Sequence, residues 1–312
     1  MTMRKKHHGA DIAFFGIALV LVLVMLYSGL RILESTVLRP ETGESVAVSK
    51  TIERNGVSYF PRQDITVVMV LGIDRHGPLE ASDSDRSSGA ADTVQLLIFD
   101  EREKCTRLLN LNRDTFVEFS GESLPLAQVY SYGCGLSDSC DNVKTVLMQY
   151  LKGMTVDHYL AMGMDALPIL NDGVGGIRVS GREELPEIPA GDHILQGEEA
   201  LAYVQTQTDA DNASRMQRQQ EYLIGFYEAL QEKSREDPEL LLKLFESAAP
   251  YLVTDCTAVT LDALTDRFAD YPLTEVLTPE GELILEGDQY RFQADPEKLD
   301  KLVLELFYAP KN

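Results

Sequence analysis

The chain has 312 residues, with 28 Lys and Arg against 50 Asp and Glu, a net charge of −22. That acidity argues against a nucleic-acid-binding surface and for an acidic ectodomain, and any anionic ligand must find its cations in a local pocket. At 44% hydrophobic residues the length suffices for one large domain or two small ones.

The first element is apolar. Ile12 to Leu30 contains no charged residue, and such a stretch at 1.5 Å per residue spans roughly 28 Å, close to the hydrocarbon thickness of a bilayer. Arg4, Lys5 and Lys6 precede it with only Asp11 against them. The positive-inside rule then predicts residues 1–11 in the cytoplasm, a single-pass cell-membrane helix at 12–30 and everything beyond it extracellular. A cleaved signal peptide is the competing reading, but Tyr27-Ser28-Gly29-Leu30-Arg31 lacks a small-x-small cleavage pattern. Residues 31–63 mix charge with Pro40, Gly43 and Gly56 and read as a stalk or peripheral hairpin. The extracellular domain is expected over 64–312.

Within it, the β-branched run Ile65 to Leu71 predicts a strand buried on both faces, ended by Gly72. A polar loop from His76 to Ala91 separates it from a second strand at Asp92 to Phe99, and Thr106 to Asn110 forms a third. Asn142 to Leu151 predicts a helix with Val143, Val146, Leu147 and Tyr150 on one face. Further helices are expected at 197–204, 215–233 and 238–246; the middle one carries Leu223, Phe226, Tyr227 and Leu230 as a core-facing stripe. A strand pair at Glu282 to Leu285 and Gln289 to Phe292 precedes a last helix with Asp295 as N-cap and Pro296 at its first position. Its stripe is Leu299, Leu302, Val303 and Leu306. Nothing repeats at a fixed period, so the expectation is one α/β domain, a mixed central sheet flanked by helices.

Signatures of phosphate-binding glycine loops, zinc proteases and serine hydrolases are absent from the sequence. Charged residues instead sit at strand ends: Asp74 and Arg75 after the first, Asp92 at the start of the second, Arg113 and Asp114 after the third. Three such clusters can converge at one edge of a sheet. Taken singly, Asp74 also fits a turn, Asp92 a cap, and Arg113 with Asp114 a surface ion pair. Arg215 and Arg218 open a helix, where cations oppose the macrodipole unless an anion is held there. His7 and His8 lie in the cytoplasmic flank, and His76, His158 and His193 show no ligand spacing, so no role is assigned to them. If the four cysteines form disulfides, Cys134 and Cys140 are the favoured pair across a short polar loop; free thiols are the alternative.

Leu71-Gly72-Ile73-Asp74-Arg75, Ala91-Asp92-Thr93, Asn112-Arg113-Asp114-Thr115, Gly175-Gly176-Ile177-Arg178-Val179, the stretch Gln196 to Val204 and Arg215-Met216-Gln217-Arg218-Gln219-Gln220 occur in that order. Together they resemble the LytR-CpsA-Psr family of cell-wall glycopolymer ligases, well over 64–233 and loosely beyond. The resemblance implies an αβα fold and a phosphotransferase that moves a glycopolymer, such as a teichoic acid or capsule, from an undecaprenyl-pyrophosphate carrier onto peptidoglycan. It implies Mg²⁺ held by Asp74 and Asp92. It also implies a pyrophosphate contacted by Arg75, Arg113 and Arg215, with Arg218 and Gln219 alongside. Asp74, Arg75, Asp92 and Arg113 would carry the chemistry, which suits phosphoryl transfer: charge stabilisation and positioning dominate there. One of the two aspartates would act as base; the residues do not say which.

The chain departs from the family pattern at Gln205 and Gln207, at Asn112 and in a longer loop between Asp74 and Asp92. Gln205 and Gln207 stand where the family has arginines that bind the pyrophosphate, and Asn112 stands where it has proline. Each charge-assisted contact is worth roughly 1.5–3 kcal/mol, so two further readings stay open. One is a non-catalytic polyprenyl-phosphate-binding or regulatory ectodomain; the other is a pyrophosphatase. A polyprenyl tail would need an apolar tunnel, and the helices at 143–151 and 222–230 could line it or simply fill the core.

Overall fold

The computed structural model describes residues 51–311 apart from 82–87, 182–184, 187, 207–217, 219–220, 223–224, 227, 231, 234–235, 238–239, 269–270 and 287–288. The predicted span at 12–30 lies outside the described residues, as do Gln207, Arg215 and Gln219. Among the described residues no helix is long and apolar enough to cross a membrane.

In chain order, β1 (Ile52–Arg54) and β2 (Val57–Pro61) form a hairpin, followed by β3 (Ile65–Ile73), β4 (Ala91–Asp100) and β5 (Cys105–Leu111). A second hairpin, β6 (Phe116–Phe119) and β7 (Glu122–Pro125), leads into α1 (Leu126–Val129) and α2 (Ser137–Tyr150). Next come β8 (His158–Gly163), α3 (Ala166–Gly173), β9 (Ile177–Gly181), β10 (Gly191–Leu195) and α4 (Glu198–Gln205). Helical turns recur among the described residues of 218–236. The chain then adds α5 (Leu240–Ala248), β11 (Leu252–Thr254), α6 (Ala258–Phe268), β12 (Leu273–Leu277), β13 (Gly281–Glu286), β14 (Gln289–Ala294), α7 (Pro296–Phe307) and β15 (Tyr308–Pro310).

The central sheet has the order β11-β8-β3-β4-β5-β12. β3 pairs antiparallel with β4 and parallel with β8, and β5 pairs antiparallel with β4 and parallel with β12. The sheet is therefore mixed, as the β-branched runs predict. Alternate residues divide between two cores. Val68, Val70, Leu97, Phe99, Leu108 and Leu160 face one, which α3, α4, the 218–236 region and α5 cover through Leu167, Leu201, Phe226 and Leu244. Val67, Met69, Leu71, Leu96, Ile98 and Leu109 face the other, covered by α2 and α7 through Val143, Leu147, Leu299 and Val303. Every residue of β4 is buried, as a strand with helices on both faces requires.

Residues 31–63, expected as a stalk or peripheral hairpin, end in β1 and β2, and β2 pairs with β15. The folded unit thus begins by Ile52 rather than at 64, because the C-terminal strand needs β2 as a partner. Arg62 fastens this joint: its Nη1 and Nη2 donate to Asp100 at 2.7 and 2.8 Å and its Nε to Asp64 at 2.8 Å. The helix expected from Asn142 starts at Ser137. The polar run Ser137-Asp138-Ser139 hides the apolar period there, while Asp138 suits a first helical turn. The Cys134–Cys140 disulfide is not formed and all four cysteines are free thiols. Cys134 is exposed with its Sγ donating to Asp138 Oδ1 at 2.9 Å, whereas Cys140 is buried in the core beneath α2.

Candidate functional site

Strand direction builds the site. Since β4 runs against both β3 and β5, the C-terminal ends of β3 and β5 and the N-terminal end of β4 meet at one edge of the sheet. The register pairs Ile73 with Ala91 and Val94 with Leu111. Asp74, Asp92 and Arg113 therefore emerge side by side from three neighbouring strands. β8, parallel to β3, pairs Gly163 with Ile73 and brings Met164 to the same edge, where its N–H donates to the Arg75 carbonyl at 3.0 Å.

Asp92 is the buried member, with its side chain 2% exposed against 21% for Arg113. The Arg113 Nη1 donates to Asp92 Oδ1, and its Nε lies 3.8 Å from Asp114 Oδ1. This pairing places a charge-assisted bond on the buried carboxyl and presents a partly exposed guanidinium at the rim. Asp74 is exposed, and its Oδ1 accepts from the Ala90 N–H at 2.5 Å. That close approach depends on Gly89, which has φ +90°; a Cβ there would lie 2.9 Å from Asp74 Oδ1 and 3.0 Å from Ile73 Cγ2.

The loop after β3 is pinned from outside. Asp165 accepts from the Gly77 N–H at 2.8 Å and lies 2.7 Å from His76 Nδ1. Burial works against the Asp165 charge, but the Gly77 and His76 contacts overcome it and hold its carboxyl below the usual range. Arg75 Nη1 donates to the Glu80 carbonyl at 3.3 Å, and the buried Ser88 hydroxyl donates to the Gly133 carbonyl at 2.8 Å. After β5, Asn112 replaces proline without loosening the turn. Its side chain accepts from the Asp114 N–H at 2.9 Å and its carbonyl from the Thr115 N–H at 3.0 Å, so an Asx-turn does what a fixed φ would.

Gln205, at the C-terminal end of α4, has its Nε2 3.4 Å from Met164 Sδ, which attaches it to the same edge. Arg218 stands behind it, buried, with Nε donating to the Tyr203 carbonyl at 3.0 Å and Nη2 to the Thr206 carbonyl. A cation on the last carbonyls of a helix complements its dipole, so Arg218 holds the end of α4 and thereby Gln205. The structure thus brings together Asp74, Arg75, Asp92, Arg113 and Gln205, with Arg218 in support, whereas Gln207, Arg215 and Gln219 lie outside the described residues. Gly89, Asp165 and Ser88 were not singled out in the sequence. The Ser88-Gly89 pair is a legible turn signal, while Asp165 carries no signal because its partners are far away in the chain. Val143, Leu147, Tyr222 and Phe226, expected as tunnel wall or core, are fully buried side chains of the two cores.

Two carboxylates on adjacent strand ends, beside guanidinium groups, make a hard-oxygen donor set. Mg²⁺ is bound in that manner, by one or two carboxylates with substrate phosphates completing its shell. Asp74 and Asp92 are the carboxylates at this edge that would hold such an ion.

The LytR_cpsA_psr family model matches residues 37–306, and the chain belongs to that family. A polyisoprenyl-teichoic acid–peptidoglycan teichoic acid transferase, TagU of Enterococcus faecalis, is 29% identical over 220 residues, 68% of either chain. TagT of Bacillus subtilis, which bears the same transferase name, is 29% identical over 179 residues, 53% of this chain and about half of the relative. Among solved structures, TagT bound to LI-WTA superposes with a TM-score of 0.58 at 22% identity, covering 84% of this chain and 94% of that one. TagV of B. subtilis gives 0.60 at 21% identity, with coverage of 78% and 96%. The two structures share the mixed α/β fold.

Proposed function

We propose that this protein is a membrane-anchored extracellular phosphotransferase that moves a glycopolymer from a polyprenyl-pyrophosphate carrier onto peptidoglycan. The observation that carries the reading is the convergence of Asp74, Asp92 and Arg113 at one sheet edge, with Asp92 buried against Arg113. The teichoic acid transferase names of the relatives support the glycopolymer class.

At this edge Arg75 and Arg113 neutralise the non-bridging oxygens of the diphosphate, where fixed guanidiniums act more strongly than in water. Asp74 and Asp92 would hold Mg²⁺, which when bound would supply further neutralisation of charge on the phosphate oxygens. A sugar hydroxyl of peptidoglycan attacks the phosphorus that carries the glycan. A new P–O bond forms, the bridging P–O bond breaks, polyprenyl phosphate departs and a phosphodiester remains. One of the two carboxylates, Asp74 or Asp92, takes the hydroxyl proton. The apolar stretch 12–30 anchors the chain with its N-terminus inside, and the domain faces its lipid-linked donor from outside.

The test incubates the full chain in detergent with a lipid-linked oligosaccharide, Mg²⁺ and a peptidoglycan fragment, followed by mass spectrometry. The expected product is the phosphodiester conjugate, lost in Asp92→Asn and Arg113→Ala. A binding module is the second reading, favoured by the neutral Gln205 amide at the site, since capture needs less transition-state stabilisation than turnover. That reading holds instead if the parent makes no conjugate while Gln205→Arg with Gln207→Arg does. Release of glycan phosphate without acceptor would mark a pyrophosphatase.

A further inference from the structure

The opposite edge of the sheet holds another cluster. His158 opens β8, and Asp255 and Cys256 follow β11, the edge strand beside it; one ligand atom from each lies within 4.8 Å of the others. His158 Nδ1 is 3.6 Å from Asp255 Oδ1, and Cys256 Sγ is 3.8 Å from the same oxygen. Ligands at tetrahedral bond lengths of 2.0–2.3 Å sit roughly 3.3–3.8 Å apart, so two edges of the triangle already have the required length.

The turn that carries two of these groups is fixed before any ion arrives. Asp255 Oδ1 accepts from the Tyr159 N–H at 2.9 Å, the Thr254 hydroxyl donates to the Tyr159 carbonyl at 2.6 Å, and the Cys256 N–H donates to Thr254 Oγ1 at 3.1 Å. The first two bonds tie the turn to β8, the strand that supplies the histidine, and the third closes the turn on itself. Preorganised neighbours of this kind orient ligands and raise metal affinity. His158 and Cys256 are half-buried and Asp255 is exposed, so an ion can enter from solvent.

We propose that His158, Asp255 and Cys256 bind a zinc-class divalent cation, at a site separate from the carboxylate and arginine edge. A nitrogen, sulfur and oxygen donor set suits borderline ions such as Zn²⁺ or Co²⁺ and is a poor match for Mg²⁺. His158 pairs with Val68 at one end of the strand ladder, and Gly163 pairs with Ile73 at the other. That separation is about 16 Å at the usual strand rise. The bound ion staples β11 to β8 and fixes the lead into α6, leaving a fourth position for water.

The test titrates the full chain in detergent with Co²⁺ and Zn²⁺, on a His7→Ala, His8→Ala background that removes the N-terminal histidines. One Co²⁺ per chain is expected, with a thiolate-to-cobalt charge-transfer band that persists in Cys134→Ser and Asp92→Asn and disappears in Cys256→Ser. His158→Gln should weaken Zn²⁺ binding by more than about tenfold, and Zn²⁺ should raise the Tm of the parent but not of Cys256→Ser. Absence of the band in the parent overturns the proposal. So does a band that survives Cys256→Ser, or equal Zn²⁺ protection of both proteins.

Discussion

The Asp92–Arg113 pair joins stability to chemistry at single residues. Removing the guanidinium takes the main counter-charge from a nearly dry carboxylate, which costs on the order of 3 kcal/mol in such sites. Removing the carboxylate's charge leaves an arginine that is one-fifth exposed to water. Urea denaturation should therefore find Arg113→Ala more destabilised than Asp92→Asn, although both lose transfer. Gly89 gives a second residue-scale prediction. Alanine there meets both the positive φ and the Asp74 carboxylate, so Gly89→Ala should lose about 1–3 kcal/mol and show reduced turnover, because Asp74 must move. The convergence of Asp74, Asp92 and Arg113 was legible in the sequence, since each follows or opens an apolar run whose direction the pairing then fixed. The position of Arg218 was not legible. As a first-turn cation it pointed to an anion, whereas its guanidinium caps the carbonyls of α4, a tertiary contact that spacing cannot reveal.

Elements with strong local signals match their expectations. The runs behind β3, β4 and β5 gave strands within two residues of their ends, and Asp295 caps α7 as Asp-Pro implies, accepting from the Glu297 and Lys298 N–H groups at 3.0 and 3.2 Å. Asp295→Ala should lower stability by about 1 kcal/mol in denaturant titrations. β8, β11 and β12 were missed for one reason: each is short and owes its strand form to pairing with a distant partner. The same distance hid the cluster of His158, Asp255 and Cys256, whose members open β8 and follow β11, two strands that only the sheet brings together.

The joint between β2, β4 and β5 adds a pH prediction. Asp100 is fully buried between Arg62 and Arg107. Burial by itself would raise its pKa, but bonds from Arg62, the Glu103 N–H and Arg107 overcome this and hold the carboxyl well below its usual range. A depressed folded pKa contributes stability that is full above the unfolded value near 3.9 and is lost as pH falls through the folded one. Unfolding free energy measured from pH 6 to pH 2 should drop with acid in the parent and follow a shallower acid limb in Asp100→Asn.

On the scale of the whole molecule, a chain of net charge −22 keeps three arginines, Arg75, Arg113 and Arg218, on or just behind one edge of its sheet. The proposed transfer requires this edge to hold a lipid diphosphate. Isothermal calorimetry of the full chain with geranyl pyrophosphate and Mg²⁺ addresses it directly. One molecule should bind per chain, with affinity reduced at least about tenfold in Arg113→Ala, the loss of one charge-assisted contact, and unchanged in the distant Cys256→Ser. Equal affinity in the parent and Arg113→Ala would contradict it.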